Sequence, residues 1–286
     1  MANPKTTSHS LRKPQYRYSG IDKLPDASLE TNIRQVDISK FPPDSELPQI
    51  AWLGHSSFII VWRNQTLLLD PVFARTIGVV PRRLPVSKAI HEVNPQAILV
   101  SHAHMDHLNN PSLSLFPDTP IYLPNKTERF LSPANLRRAH SVQLRKPFNL
   151  GSLTIMPVEA LHGGWRYPWQ QGYMALGYVI SDGKHRVYYA GDSAYGPHFS
   201  EIGNESPIDI ALLPIGAYSP RWFLKDKHLN PPEAVQAAND LRARNVIPYH
   251  FGTYRLALDP LGEALPWFEQ EAAQSSIKWD LPIGIS

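Results

Sequence analysis

Ser101-His102-Ala103-His104-Met105-Asp106-His107 packs three histidines and one aspartate into positions 102–107. Imidazole nitrogens and a carboxylate oxygen are the donors that borderline-soft divalent ions take. The apolar run Ala97-Ile98-Leu99-Val100 leads into this cluster and reads as a buried strand, and Asn109-Asn110-Pro111 behind it suits a loop opening into a helix. His102 and His104 stand two apart, so an extended backbone turns both imidazoles to one side. Asp106 and His107 fall where the chain turns and can aim at a neighbouring point. The spacing suits two adjacent ions. A lone histidine is more often surface or satisfied core, but four chelating groups directly behind an apolar strand are not explained that way. An affinity tag would be terminal and would lack the strand and the aspartate.

Three isolated candidates could complete such a centre. His162 follows the strand-like Leu153–Glu159, Asp192 closes Tyr188-Tyr189-Ala190-Gly191-Asp192, and His250 ends Val246-Ile247-Pro248-Tyr249. Each lies at the C-terminal end of an expected strand, where α/β folds gather functional groups. Taken singly, a strand-end aspartate is as often a helix cap.

The elements that must carry these residues follow from periodicity. Gln49–Gly54, Ser57–Trp62 and Thr66–Asp70 read as an antiparallel meander, with a turn at Arg63-Asn64-Gln65. Residues 71–95 form a Pro- and Arg-rich loop; Ala97–Ser101 and Ile121–Leu123 are strands. Leu153–Glu159, Tyr173–Ser181 and Arg186–Ala190 follow, the last two joined by the hairpin turn Asp182-Gly183-Lys184. Ile208–Pro214 and Asn245–Tyr249 are further strands, Pro231–Arg242 and Gly262–Ala273 helices. Residues 1–46 read as an irregular arm packed on a single α/β domain, 47–286, with two sheets face to face and helices outside.

Composition narrows the chemistry. The 286 residues include no cysteine, which excludes disulfides, thiolate zinc sites and cysteine nucleophiles, so any metal must rest on His, Asp or Glu. A net charge of +3 with only the short basic pairs Arg82-Arg83 and Arg137-Arg138 argues against a nucleic-acid footprint. From Met1 to about Pro25 the chain is polar and basic, with no apolar run for a signal peptide or span. The expectation is a cytoplasmic protein, or one peripheral to a membrane, of unspecified oligomeric state.

The cluster matches the His-x-His-x-Asp-His signature and resembles the metallo-β-lactamase superfamily. Trp52-Leu53-Gly54-His55-Ser56-Ser57, Leu69-Asp70-Pro71, Pro214-Ile215-Gly216-Ala217-Tyr218, Pro220-Arg221-Trp222-Phe223 and His228-Leu229-Asn230-Pro231-Pro232-Glu233 are similar to the branch containing N-acyl-phosphatidylethanolamine-hydrolysing phospholipase D. The resemblance runs from about residue 50 to 255. It implies an αββα sandwich of two mixed sheets and two zinc ions per chain, with iron or manganese as other occupants. By that pattern His102, His104 and His162 hold one ion, Asp106, His107 and His250 the other, and Asp192 bridges them. Asp70 would orient a metal-bound histidine, and His55 would support the site from behind. The catalytic candidates are Asp192, His228 and Asp106, with Asp192 or His228 carrying a proton to the leaving oxygen. Relatives often carry Asp where this chain has Asn109, which keeps an acceptor but loses a charge.

The resemblance implies hydrolysis of a lipid or other phosphodiester, with no Gly-x-Ser-x-Gly nucleophile elbow required. Trp165, Tyr167, Trp169, Tyr218, Trp222 and Phe223 could line an acyl groove, or simply pack loop bases. Arg221 with Lys225 could hold a phosphate. A lactonase of the same fold, opening sugar-acid or acyl-homoserine lactones, is the second reading, since sugar-lactone relatives share Leu-Gly-His-Ser-Ser. A non-catalytic metal module or an RNA-processing protein is the third, but no basic aromatic arm supports it. Iron oxygenases also use this fold, and elemental analysis separates them. His9, His91, His140, His185 and His198 read as surface.

Overall fold

The computed structural model describes residues 33–167, 169–170 and 172–285; of the expected arm, residues 1–32 therefore lie outside the described residues, as does His9. Strands β1 (Gln35–Val36), β2 (Gln49–Trp52), β3 (Phe58–Trp62) and β4 (Gln65–Leu69) come first, then a short ribbon of β5 (Thr76–Ile77) and β6 (Val80–Pro81). β7 (Ala97–Leu99), β8 (Ile121–Pro124) and β9 (Ala139–Val142) complete the first half. The second half runs β10 (Phe148–Leu150), β11 (Leu153–Gly163), β12 (Met174–Ser181), β13 (Arg186–Tyr189), β14 (Ile210–Pro214), β15 (Asn245–Tyr249) and β16 (Gly284–Ile285).

Two six-stranded sheets result, in the orders β2-β3-β4-β7-β8-β9 and β10-β11-β12-β13-β14-β15. Both are mixed. The meander β2-β3-β4 is antiparallel and β4, β7, β8 and β9 run parallel. In the second sheet β10 to β13 are antiparallel neighbours, and β13, β14 and β15 run parallel. β1 pairs with β16, tying the start of the described chain to its end.

The period of two along β3 explains the layering. Phe58, Ile60 and Trp62 enter the cluster shared with the second sheet, while Ile59 and Val61 enter a separate cluster with Leu108, Leu113 and Phe116. All five β3 side chains are buried, so that strand reads as a continuous apolar run. Outside the second sheet, Pro231–Asp240 starts with Asn230 and Glu233 in a reciprocal capping box and prolines in its first turn. No helix among the described residues is long and apolar enough to cross a membrane.

Among the departures from the sequence reading are β5 and β6 inside the expected loop 71–95, and two nearer the site. β11 continues through His162 to Gly163, with an irregularity between Glu159 and Gly163 that re-aims its last residues. His198, expected at the surface, opens the unforeseen helix His198–Glu205 and is only 1% exposed. His91 and His140 are exposed as expected, and His185 is half-buried.

The burial of His198 has a consequence for acid stability. Burial holds its pKa down to about 4, and Nε2 lies 3.1 Å from Ser193 Oγ. The unfolded chain takes up a proton near pH 6.5, while the folded chain does so only near 4. Stability is therefore unaffected above pH 6.5 and falls as the pH drops from there toward 4, by about 3 kcal/mol at most. Denaturant melts of His198→Gln against the parent across that interval should show a flatter loss for the variant; parallel curves would refute the assignment.

Candidate metal centre

Five residues of the centre end or closely follow strands. Asp70 follows β4, His102 follows β7, Asp192 follows β13, His250 follows β15, and His162 lies in the last turn of β11. Asp70, His250 and His55 adopt left-handed φ values of 37°, 66° and 54°. Such conformations cost non-glycine residues about 1–3 kcal/mol and persist only where surrounding structure over-determines them. Gly191, at φ 61°, has a different reason: a Cβ there would sit 2.7 Å from Ser101 Cβ. The Asp192 loop can thus lie directly on the strand that delivers the histidines.

The 102–107 segment is not an extended strand, which β7 ends at Leu99. It closes as a turn in which His107 N and Leu108 N donate to His104 O. His102 and His104 consequently present different nitrogens. His102 Nε2 and His104 Nδ1 lie 2.9 Å apart, and His162 Nε2 is 3.0 Å from His104 Nδ1. Four-coordinate ions with 2.0–2.1 Å bonds space their donors by about 3.3 Å, so these three nitrogens face one point at nearly that spacing.

A second group stands beside it. His107 Nε2 is 3.6 Å from Asp106 Oδ2 and 3.2 Å from Asp192 Oδ2; His250 Nε2 is 3.8 Å and 3.3 Å from the same oxygens. Asp192 Oδ2 also lies 3.9 Å from His162 Nε2, and so sits between the two groups. His107 Nε2, His250 Nε2 and Asp192 Oδ1 are buried without a hydrogen-bond partner. Buried polar atoms are rarely left so, and two orphaned imidazole nitrogens facing one carboxylate oxygen fit a cation.

The neighbours set the tautomers. Ser101 Oγ–H donates to Asp70 Oδ2, so His102 Nδ1–H must donate to Ser101 Oγ at 2.9 Å, leaving Nε2 a bare lone pair. His162 Nδ1–H donates to Lys227 O at 2.8 Å and His107 Nδ1–H to Asp70 Oδ2 at 2.6 Å, with the same result. Asp70 also accepts from Ser101 N at 2.7 Å and from Tyr189 OH at 2.6 Å. His55 Nε2–H reaches Asp106 Oδ2 at 2.9 Å, and the His55 backbone is pinned by its N–H to Thr253 Oγ1.

Charge tells the same story. Asp70, Asp106 and Asp192 are buried or nearly so, and their ion-pair partners among the described residues are histidines alone. Burial pushes Asp106 and Asp192 up, but the surrounding imidazoles together outweigh it, His107 and His55 at Asp106 and His107 and His250 at Asp192, and hold both well below the carboxylate range. Burial pulls His107 down, yet Asp192, Asp106 and Asp70 together raise it well above an ordinary histidine. Burial and the neighbouring imidazoles keep His102 low and His104 at about 3. The residues present fit divalent cations: His102, His104 and His162 are held neutral, the carboxylates of Asp106 and Asp192 ionised, and at His107 and His250, both raised by those carboxylates, a cation would take the place of the proton.

Asp70→Asn keeps the shape and removes the charge behind His107. Metal affinity, read by competition with a chromogenic chelator, should fall 10- to 100-fold, roughly the usual cost of losing such a support. An unchanged affinity would make Asp70 purely structural.

The substrate candidates fare differently. Arg221 is committed elsewhere: Nη2 pairs with both Glu233 oxygens at 2.5 Å and Nη1 donates to His228 O at 2.8 Å. It clamps the turn that carries Lys227 O and His228, which corrects its expected part as a phosphate holder. Tyr218 is buried and donates to Glu263 at 2.6 Å. Trp222 is 81% exposed on the short helix Arg221–Leu224, with Phe223 beside it. Tyr167 and Trp169 stack on each other at the surface, whereas Trp165 meets the His104 ring edge-on at 4.9 Å. His228 comes within 3.7 Å of Asp192 Oδ2 through Nδ1. Asn109 Oδ1 accepts from Ser112 N and Oγ as a helix cap, a job that needs no charge. Arg166, whose Nη2 donates to Leu108 O at 2.7 Å, lies beside the 102–107 turn; an isolated arginine after Gly163-Gly164-Trp165 carries no signal of its own.

Residues 65–251 match the model of the beta-lactamase superfamily domain. A protein of Mycobacterium tuberculosis is 30% identical over 236 residues, covering 77% of this chain and 63% of that protein. N-acyl-phosphatidylethanolamine-hydrolyzing phospholipase D 1 of Caenorhabditis elegans is 30% identical over 227 residues, covering 71% of this chain. The chain spans only 63% of the length of either relative. Among solved structures, Igni18, a metallo hydrolase of Ignicoccus hospitalis, superposes with a TM-score of 0.62 at 18% identity, over 84% of this chain and 96% of that one.

Proposed function

Because the chain belongs to the beta-lactamase superfamily, we propose that it is a hydrolase working with two divalent ions, zinc in the first instance, on phosphodiesters of the N-acyl-phosphatidylethanolamine type. The observation that carries this is the pair of donor groups meeting at Asp192 Oδ2, one built on His102, His104 and His162, the other on Asp106, His107 and His250. Two such ions supply a water of lowered pKa as nucleophile and neutralise charge on the phosphoryl oxygens.

The chain's own residues do the rest. Asp70, Ser101 and the Lys227 carbonyl hold the imidazoles in the tautomers that leave their inner nitrogens bare. His55 holds Asp106 by its oxygen. His228 keeps 12% of its side chain exposed while Asp192 keeps 2%, and burial holds it neutral, so His228 is the group that would take the proton released by the attacking water and pass it to the leaving oxygen. Asp192 Oδ2 beside its Nδ1 steadies that imidazole when it is charged.

The test begins with elemental analysis, reading zinc, iron and manganese. The loaded protein is then offered bis(p-nitrophenyl) phosphate, N-acyl-phosphatidylethanolamine in micelles, and homoserine and sugar-acid lactones. Two ions per chain with turnover of the diesters supports the reading. Lactone opening without diester cleavage moves it to the lactonase, and absence of bound metal ends it.

A further inference from the structure

With Arg221 engaged by Glu233, any side-chain cation that helps the metal centre hold an anionic substrate must be another one, and this rests on the hydrolase reading above. Each other half-buried arginine among the described residues has several acceptors or a carboxylate: Arg186 donates to Ser206 O and lies 4.0 Å from Glu205. Arg82 gives its donors to Leu84 O, Val72 O, Leu53 O and Tyr254 OH. Arg138 gives its donors to Thr119 O, Leu113 O and Asn135 Oδ1, and Arg63 pairs with Asp182.

Arg166 is different. Among the described residues its side chain makes one hydrogen bond, Nη2 to Leu108 O at 2.7 Å, and its buried Nε has no partner there. No carboxylate among the described residues lies within ion-pair distance of it. Its Cζ lies 5.5 Å from the centroid of the Phe130 ring, which fixes the plane of the guanidinium. Its position ties it to the centre twice: Leu108 directly follows His107, and Trp165, its neighbour in sequence, packs on His104.

An arginine cannot shed its proton, and the one carboxylate that Arg166 feels among the described residues is Asp106, from beyond ion-pair distance, so its half-buried guanidinium is open to an anion. Its fork of parallel N–H donors matches two oxygens of a phosphate or carboxylate. We propose that Arg166 is the anion-recognition residue of this site, gripping a phosphate oxyanion group of the substrate beside the metal centre. Diesters carrying that charge are then selected over neutral esters and lactones of the same shape.

The test is a calorimetric titration of bis(p-nitrophenyl) phosphate into the metal-loaded protein, in the parent, Arg166→Gln and Arg166→Lys, with metal content measured for each. The expected result is a 10- to 100-fold weaker dissociation constant in R166Q, roughly the loss of a charge-assisted pair, at unchanged metal content. R166K, which keeps the charge but not the fork, should fall between. Affinity should drop with added salt in the parent and much less in R166Q. Parent-like affinity in R166Q overturns the proposal, as does a loss of metal that accompanies the loss of affinity in both variants, or no binding by the parent. The two readings fail separately. A parent that binds the diester through Arg166 without cleaving it removes the phosphodiesterase and keeps the anion site. One that cleaves it with no help from Arg166 does the reverse.

Discussion

Asp192→Asn should lower turnover on whichever ester the protein cleaves by about 10³-fold or more, equivalent to about 4 kcal/mol of transition-state stabilisation, while the fold persists. The reason is position. One oxygen, Oδ2, lies within 3.3 Å of His107 Nε2 and His250 Nε2 and within 3.9 Å of His228 Nδ1 and His162 Nε2. Asparagine offers a neutral oxygen or a nitrogen that donates, and neither can serve two cations at once. The measurement is a steady-state assay beside metal analysis and circular dichroism. The fall should come with a drop in bound metal at constant secondary structure, and His104→Ala should behave alike. Parent-like turnover with full metal in either variant would contradict the centre as built here.

Removing the ions should be felt by the whole domain. Asp70, Asp106 and Asp192 have histidines as ion-pair partners at a rim where β4, β7, β11, β13 and β15 meet. A ligand at a thousand times its dissociation constant adds about 4 kcal/mol to folding. In a domain of this size each kcal/mol moves the midpoint by about 2–4 °C, so chelation at neutral pH should lower Tm by about 8 °C or more. Scanning calorimetry with chelator, then with zinc restored, reads this directly. An unchanged midpoint would mean that protons on His107 and its neighbours satisfy the carboxylates without any ion.

Much of the centre was legible because its signals are local. The cluster 102–107 is contiguous, and Asp192 and His250 each stand one step beyond an apolar run that could only be a strand. The meander also needs no partner to be recognised, since β3 and β4 are joined by a two-residue turn with both residues at positive φ. Less local features were misread. His198 seemed a surface residue because nothing nearby marks a helix; only packing against Phe199 and Ser193 buries it. The strands β9 and β10 went unseen, being short edge strands with mostly exposed side chains.

Residue types and their intervals determined that this chain carries metal-ligating groups, that they end strands, and that no thiol takes part. Only the tertiary structure decided what each charged group does. Arg221 and Glu233 lie twelve positions apart, and His55 and Asp106 fifty-one, yet both pairs are in contact. Such pairings form when two sheets stack and their rims close on each other, and the interval along the chain says nothing of them. Arg166 Nε, left without a partner among the described residues by the same closure, has no counterpart in the sequence pattern.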